Sequence, residues 1–471
     1  MAPLIECAAM TDPSLLSIRD CLDRFRDRSL SPVEVVEAAC TRLDRLEPRL
    51  NAFVHLAREE ALAAARGSER RWRDGRPAGA LDGVPVTLKD QCLVEGWPTR
   101  RGSLTSSPAD IAGEDAPLVA RLRAAGAVFL GKTTTPENGW KGLSDSPLTG
   151  LTRNPWHPQR QAGGSSGGAA ASVAAGIGQA AVGSDGAGSI RIPASFCGVV
   201  GLKPTFGRVA MHPMAGNAPY IHFGPMARRV DDAARLLAAM AGPDPRDPFS
   251  LPDLPEEDVE GGVAGLRIAV STTLGFTGAR PEIAAAVGDA ARVLAEAGAT
   301  VEAADPDIGD PRQAELTIWS TGVARGVLAM RPETRAVMDP DLVRMAAHAE
   351  TISAVDLKAA EAVRLAVAQS LGRFLGRYDL LLSPTSGITA FPIGRQLADP
   401  ATQAWWLDWA AFTFPFNMSG QPAASFPWGL DGEGLPIGLH LAAGRFRDGT
   451  VLRVARLLER AKPVPLPPMA R

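Results

Sequence analysis

Apolar and polar positions follow two rhythms along this chain. Near the start the rhythm is helical. Ser31-Pro32-Val33-Glu34 reads as a capping box with proline in the first turn, and Val36, Ala39, Leu43 and Leu46 follow at helical spacing. The pattern predicts a helix from Ser31 to about Leu46 and a second from Ala57 to Trp72, ended by Gly75, Pro77 and Gly79. Beyond that break, short apolar runs predict strands at Leu81–Lys89, Ala127–Leu130, Leu266–Val270, Asp379–Leu382 and Pro436–Leu441. Helical patterns lie between them, at Asp115–Ala125, Pro281–Ala297, Asp356–Tyr378 and Thr450–Leu458. This alternation predicts an α/β fold with a large, mostly buried sheet covered by helices on both faces. The Pro/Asp-rich stretch Pro243–Pro255 is the best candidate boundary.

Composition changes this picture little. The 471 residues are 45% hydrophobic and 21% charged, with a net charge of -3. Such a balance gives no reason to expect nucleic acid or an anionic membrane as partner. Five scattered cysteines, Cys7, Cys21, Cys40, Cys92 and Cys197, form no C-x-x-C pair, which favours a reducing, cytoplasmic setting over a disulfide framework or zinc site. Met1–Pro13 lacks the basic and apolar regions of a signal peptide. The Gly/Ala-rich stretch from Ala169 to Gly183 is too short and weakly apolar to span a bilayer. No cofactor or metal is implied.

Chemistry concentrates in three segments: Gly163-Gly164-Ser165-Ser166-Gly167-Gly168 before an alanine-rich helix, Gly183 to Pro193 around Ser189, and Lys89 at the end of its apolar strand. Amide hydrolysis needs a nucleophile, a base, and donors for the developing oxyanion. Glycines next to a serine let backbone N–H groups come close to a substrate, and Gly186, Ala187, Gly188 and Ser189 supply such a run. None of the six histidines lies in these segments, and no Gly-x-Ser-x-Gly elbow surrounds either serine. A Ser-His-Asp triad assembled in space stays open, with no local support. Lys89, in an apolar strand of a lysine-poor chain, is a candidate neutral base. On these residues alone, a flexible turn and a lysine reaching for water remain competing readings.

The combination of segments resembles the amidase signature family. The matching stretches are Gly83-Val84-Pro85 with Lys89-Asp90, the Gly-Gly-Ser-Ser-Gly-Gly run, Gly188-Ser189-Ile190-Arg191-Ile192-Pro193, Thr152 to Trp156, Gly198 to Thr205, Gly224 to Arg228, Phe416 to Ala423 and Gly434 to Gly438. They cover nearly the whole chain, and Ser165 and Ser189 stand 24 residues apart, as the family's two serines do. The resemblance implies one domain over 1–471, with a helical region 1–75, a catalytic core 76–245 and 379–471, and a more variable substrate lobe 246–378. It implies Ser189 as the acylated nucleophile, Ser165 after a cis peptide as the bridge, and Lys89 as the base. It also implies Gly186, Ala187, Gly188 and Ser189 as the oxyanion hole. Asp185, Arg191 and Ser166 are expected to give structural support. Trp140, Gly163, Gly164, Tyr220 and Phe223, with the stretch from Asn217 to Phe223, are expected at the pocket; Trp97 and Trp319 are candidates for its lining whose commoner role is core packing.

The activity so implied is hydrolysis of a linear, aryl or cyclic carboxamide, with carbamate or ester bonds as further candidates. The Phe416–Ala423 segment most resembles hydrolases of lactam-like or xenobiotic amides. A small-molecule amide or carbamate is the expected partner, and a homodimer is one admissible assembly. Departures from the family are Ala187 in the nucleophile loop, Gln91 after Lys89-Asp90, and His440 where glutamine is common. Two competing functions remain. A glutaminase component of a tRNA-dependent amidotransferase is disfavoured by Gly186-Ala187-Gly188 and Ile192. A nucleotide-binding P-loop at Gly126–Thr133 is disfavoured because Val128, Phe129 and Leu130 read as a strand.

Overall fold

The computed structural model describes residues 12–217, 219–253 and 259–471. Cys7, most of the Met1–Pro13 stretch, position 218 and the end of the Pro243–Pro255 connector lie outside the described residues.

Thirteen strands are present among the described residues. They are β1 (Phe53–Leu56), β2 (Pro85–Lys89), β3 (Val128–Thr133), β4 (Asp145–Ser146), β5 (Gly150–Leu151), β6 (Ala180–Asp185) and β7 (Val200–Lys203), then β8 (His222–Ala227), β9 (Arg267–Val270), β10 (Thr300–Ala303), β11 (Leu380–Pro384), β12 (Ala423–Leu430) and β13 (Pro436–Ala443). Eleven form one mixed sheet in the order β1-β3-β2-β6-β8-β7-β12-β13-β11-β9-β10, and β4 and β5 make a separate hairpin. β2 runs parallel to both β3 and β6, so Lys89 ends its strand beside the start of the nucleophile loop. β9 and β10 join the same sheet through β11, so strands of the 246–378 segment continue the core sheet.

The helices obey the expected capping rules. Ser31 caps helix Pro32–Leu50 through the Glu34 amide, and the Glu34 carboxylate accepts from the Ser31 amide. That helix runs through Pro48 to a left-handed Asn51, past the predicted end at Leu46. The Leu50 side chain is fully buried there, which favours the extra turn. A helix at Ile18–Asp27, with its own capping box at Ser17, adds to those the sequence predicts. It buries Ile18, Cys21, Leu22 and Phe25. The remaining predicted helices and strands form within a few residues of their expected bounds.

Two apolar clusters cover large parts of the sheet. One gathers Leu88, Val182, Leu237 and Leu441. The other gathers Trp140, Tyr220, Trp319, Trp406 and Phe414. A third, around Val36, Ala170 and Ile190, consists mainly of small residues. No described helix is long and apolar enough to cross a membrane.

Candidate active site

The three chemical segments meet at one end of the central strands. β6 carries Ser184 and Asp185, the loop 186–190 follows, and helix Arg191–Cys197 leads away. The predicted alanine-rich helix forms at Gly167–Ala174, directly after the two serines. Its glycines allow close packing. A Cβ at Gly164 would lie 2.0 Å from the Leu143 carbonyl oxygen, and one at Gly167 would lie 2.4 Å from the Ser144 hydroxyl. Ser166 ties the two segments together, donating to the Ser184 carbonyl at 3.0 Å and accepting from the Ser184 amide at 3.2 Å. The Ser166 amide donates to the Ser189 carbonyl at 3.1 Å. The Gly164–Ser165 peptide is cis.

Lys89 is fully buried, with its amine 2.6 Å from the Ser165 hydroxyl and 2.9 Å from that of Ser184. Burial pushes its pKa down to about 7, against the pull of the Asp185 carboxylate. Three other lysines are buried, and their partners differ. Lys132 meets Asp90, the Pro98 carbonyl and Thr99, Lys141 meets Asp145 and Asp339, and Lys203 meets the carbonyls of Pro204 and Gln421. Carboxylates and carbonyls only accept, so they hold a lysine as a donor. Hydroxyls can donate back.

The direction of donation follows from Gln91. Its side-chain amide donates to the Asn138 carbonyl at 3.0 Å, and its carbonyl oxygen accepts from the Ser184 hydroxyl at 2.7 Å. The Ser184 proton is therefore committed to Gln91, and Ser184 accepts an N–H from Lys89. That arrangement leaves the lone pair of a neutral Lys89 for the proton of Ser165. The Ser189 hydroxyl makes no side-chain hydrogen bond among the described residues.

Asp185 and Arg191 form the expected pair under the nucleophile loop, both fully buried, at 2.9 Å. Burial opposes ionisation of Asp185, yet Arg191, Lys203 and Asn417 hold its carboxyl below the usual carboxylate range. Arg191 also reaches the Thr413 carbonyl at 2.9 Å, Asn417 at 2.5 Å and His440 at 3.0 Å. Burial, reinforced by the Arg191 charge, drives the pKa of His440 well below its ordinary value. A neutral imidazole accepts from arginine where a protonated one could not, so histidine substitutes here for the usual glutamine.

One expected oxyanion donor is engaged elsewhere. The Gly188 amide donates to the Asp185 carboxylate at 2.7 Å, as do the Ile190 and Arg191 amides at 3.1 and 3.4 Å. This removes Gly188 from the donor set. The amides of Gly186, Ala187 and Ser189 make no hydrogen bond among the described residues. Gly188 serves the loop differently. Its φ of 121° and the Thr413 hydroxyl, which would lie 2.3 Å from a Cβ, both require glycine.

The pocket residues divide. Trp140 is buried against the second cluster, and its carbonyl accepts from the Trp319 indole at 2.8 Å. Gly163 packs on Pro193 and Phe196. Tyr220 lies in the same cluster as Trp140, and its carbonyl accepts from Asn417 at 3.3 Å. Phe223 is a correction. On β8 it packs against the other cluster and lines a small cleft with Phe206, Met211, Met214 and Ile221. Two residues stand over its loop: Ile221, inside the Asn217 to Phe223 stretch expected at the pocket, and Trp319. A Cβ at Gly186 would lie 2.6 Å from Ile221 and 2.9 Å from Trp319, so these side chains roof that segment. Trp319 is buried as expected of a core residue, but it also borders the site.

The remaining candidates are structural. Val128–Thr133 forms a fully buried strand with Lys132 held by its neighbours, so Gly126–Thr133 makes no phosphate loop. Asn417 is buried and bonded to Asp185. Burial pushes the Cys92 thiol up to about 12, which fits a small apolar filler. Among the described residues, no three His, Cys, Asp or Glu side chains gather to hold a metal ion.

Comparison with known proteins agrees with this geometry. A family model described as Amidase matches residues 34–452. An acylamidase of Rhodococcus erythropolis is 40% identical, with 96% of this chain and 97% of that protein covered. A glutamyl-tRNA(Gln) amidotransferase component from Chloroflexus aurantiacus is 36% identical, over 92% and 93% of the two chains. The crystal structure of a bacterial aryl acylamidase of the amidase signature family superposes with a TM-score of 0.89 at 33% identity, covering 95% of this chain and 96% of the other. Fold, nucleophile loop and whole-chain similarity thus agree: the chain belongs to the amidase signature family and is a hydrolase of carbon–nitrogen bonds in non-peptide amides.

Proposed function

We propose that this chain is a stand-alone amidase acting on acyl, aryl or cyclic amides through a Ser189–Ser165–Lys89 relay. One observation carries the reading: the Lys89 amine sits between two hydroxyls, and Gln91 fixes the direction of the outer one. Ser189 attacks the substrate carbonyl carbon. Its proton passes to Ser165 as the proton of Ser165 passes to Lys89. The amides of Gly186, Ala187 and Ser189 are the remaining candidate donors to the oxyanion. The carbon–nitrogen bond then breaks, and the proton returns through Ser165 to the leaving amine. Water, activated by the same relay, hydrolyses the resulting ester on Ser189. The Ser189 hydroxyl has no competing side-chain partner among the described residues, which suits a relay whose last link tightens on substrate binding.

Similarity to acylamidases supports anilides and simple acyl amides as substrates. Carbamates and esters present the same electrophilic carbon, so they belong to the same proposal. The second reading, a glutaminase working only within an amidotransferase complex, is favoured by the 36% identity to an amidotransferase component. Ala187 and Ile192 weigh against it. A panel of anilide, lactam, carbamate and ester substrates, read by released amine or alcohol, tests the first reading. Turnover of an anilide by the chain alone supports it. Hydrolysis of glutamine only, and only with partner proteins, contradicts it.

A further inference from the structure

The short turn from Glu137 to Lys141 touches the relay on one side and the helical segment 312–349 on the other. Its Asn138 carbonyl is the acceptor that holds the Gln91 amide at 3.0 Å. Asn138 and Gly139 are both left-handed, with φ of 54° and 75°. A Cβ at Gly139 would lie 2.5 Å from the Gln91 amide nitrogen and 3.3 Å from the Ser165 hydroxyl, so the turn packs directly on the relay. From the core, the Arg101 carbonyl accepts from the Asn138 amide at 2.7 Å, and the Ser103 hydroxyl donates to Glu137. From the helical segment, Asp339 contributes three bonds. Its carboxylate accepts from the Trp140 indole at 3.2 Å and from the Lys141 amine at 2.8 Å, and its amide donates to the Glu137 carboxylate at 2.6 Å. The Trp319 indole adds a fourth, to the Trp140 carbonyl. Glu137, Trp140, Lys141 and Asp339 are all buried, where water is a poor substitute for a lost partner.

We propose that Asp339 is a positioning residue for the relay, acting through this turn and Gln91. The proposal rests on the Ser189–Ser165–Lys89 reading and concerns how that relay is aligned. Asp339 makes no bond with Lys89, Ser165 or Ser189 among the described residues. One of its carboxyl oxygens accepts from the Asp341 amide and caps helix Pro340–Ala349, while the other takes Trp140 and Lys141. The carboxylate thus joins that helix to the turn. Alignment then passes along the backbone to the Asn138 carbonyl. An amide held at its nitrogen presents its oxygen in one direction, so Gln91 meets the Ser184 hydroxyl, which accepts in turn from Lys89. Without the Asp339 carboxylate, the Trp140 indole loses its acceptor and Lys141 is left to Asp145, at 3.0 Å. The turn then gains room to shift, the Asn138 carbonyl moves with it, and the Ser184 proton competes for the Lys89 lone pair. Trp319 grips the same turn while lying against Gly186, so one seating of the helical segment serves both the base and the nucleophile loop.

The test is a double-mutant cycle on kcat in the full chain, with a simple anilide, using Asp339→Ser, Gln91→Leu and both together. Serine keeps an oxygen to cap the helix but falls short of the turn. Asp339→Ser should lower kcat about fivefold, with KM within about twofold of wild type. In the Gln91→Leu chain the same substitution should cost less than about twofold, because the path it acts through is already cut. Asp339→Asn keeps acceptors for both the helix and the turn and should stay within about twofold of the wild-type kcat. A merely structural role would lower the rate equally on both backgrounds, so losses that multiply would overturn the proposal. An unchanged kcat in Asp339→Ser, or a loss confined to KM, would overturn it as well. Should Asp339→Ser fold poorly by circular dichroism, Trp140→Phe removes one donor to Asp339 more gently. It should cost about threefold in kcat with Gln91 present and nothing without it, and equal costs would contradict the proposal. Failure of the relay reading has a different signature: turnover that survives Lys89→Met.

Discussion

Beneath the nucleophile, the side-chain polar atoms of Asp185 and Arg191 all have protein partners. Along the helix Arg312–Leu328, the buried side-chain polar atoms of Glu315 and Ser320 have none among the described residues. The two regions are similarly buried, so burial is not what separates them. The floor is closed upon itself, which fixes the loop that carries Ser189 before any substrate arrives. The helix side chains are equally buried but unmatched, which costs stability instead of fixing a geometry. The proposed reaction chemistry rests on the first region.

The largest expected effect is at the floor. Ser189→Ala should lower kcat by about 10⁴-fold or more with the fold retained, measured by turnover alongside circular dichroism. Retained turnover would move the nucleophile elsewhere. Next comes the support beneath it. Arg191→Met strands the buried Asp185 carboxylate and should cost about 3–5 kcal/mol in denaturant unfolding. A stability loss no larger than that of an exposed arginine would show that the floor is less closed than described.

Lys89 should write its burial into the stability curve. Its folded pKa lies at about 7, below the ordinary 10.5. Between these values the unfolded chain binds a proton that the native chain does not, so stability rises with pH across that window. The penalty is full below about 7 and fades toward 10.5. Relative to Lys89→Met, the wild type should therefore gain on the order of 3 kcal/mol between about pH 7 and 10. A parallel pair of stability–pH curves would contradict a buried, neutral amine.

The smallest effect separates orientation from chemistry. Gln91→Leu frees the Ser184 proton to compete for the Lys89 lone pair and should lower kcat about tenfold, with KM little changed. An equal loss in KM instead would assign Gln91 to substrate binding.

The same contrast explains what is legible in the sequence. The floor is readable because its chemistry lies in contiguous runs, Gly163–Gly168 and Gly183–Pro193, whose spacing is distinctive. The strand Ala180–Asp185, which leads into that second run, leaves no such mark. Buried on both faces and built from small residues, it shows no alternation. Residues that act through tertiary contact leave weaker traces. Ser184 and Gln91 meet only because β2 and β6 are neighbours, and nothing local marks that pairing. Gly188 has the right composition for an oxyanion donor, but Asp185, three residues earlier, takes its amide. Phe223 cannot be placed without the strand register, which decides the face a side chain takes.

The central claim is that the proton acceptor is a neutral buried lysine, and a pH–rate profile addresses it most directly. With a simple anilide, kcat/KM should climb through an inflection near pH 7, where Lys89 loses its proton, and level off on the alkaline side. The inflection should vanish in Lys89→Met together with the activity. A wild-type profile that stays flat from about pH 5.5 to 9 would contradict the account.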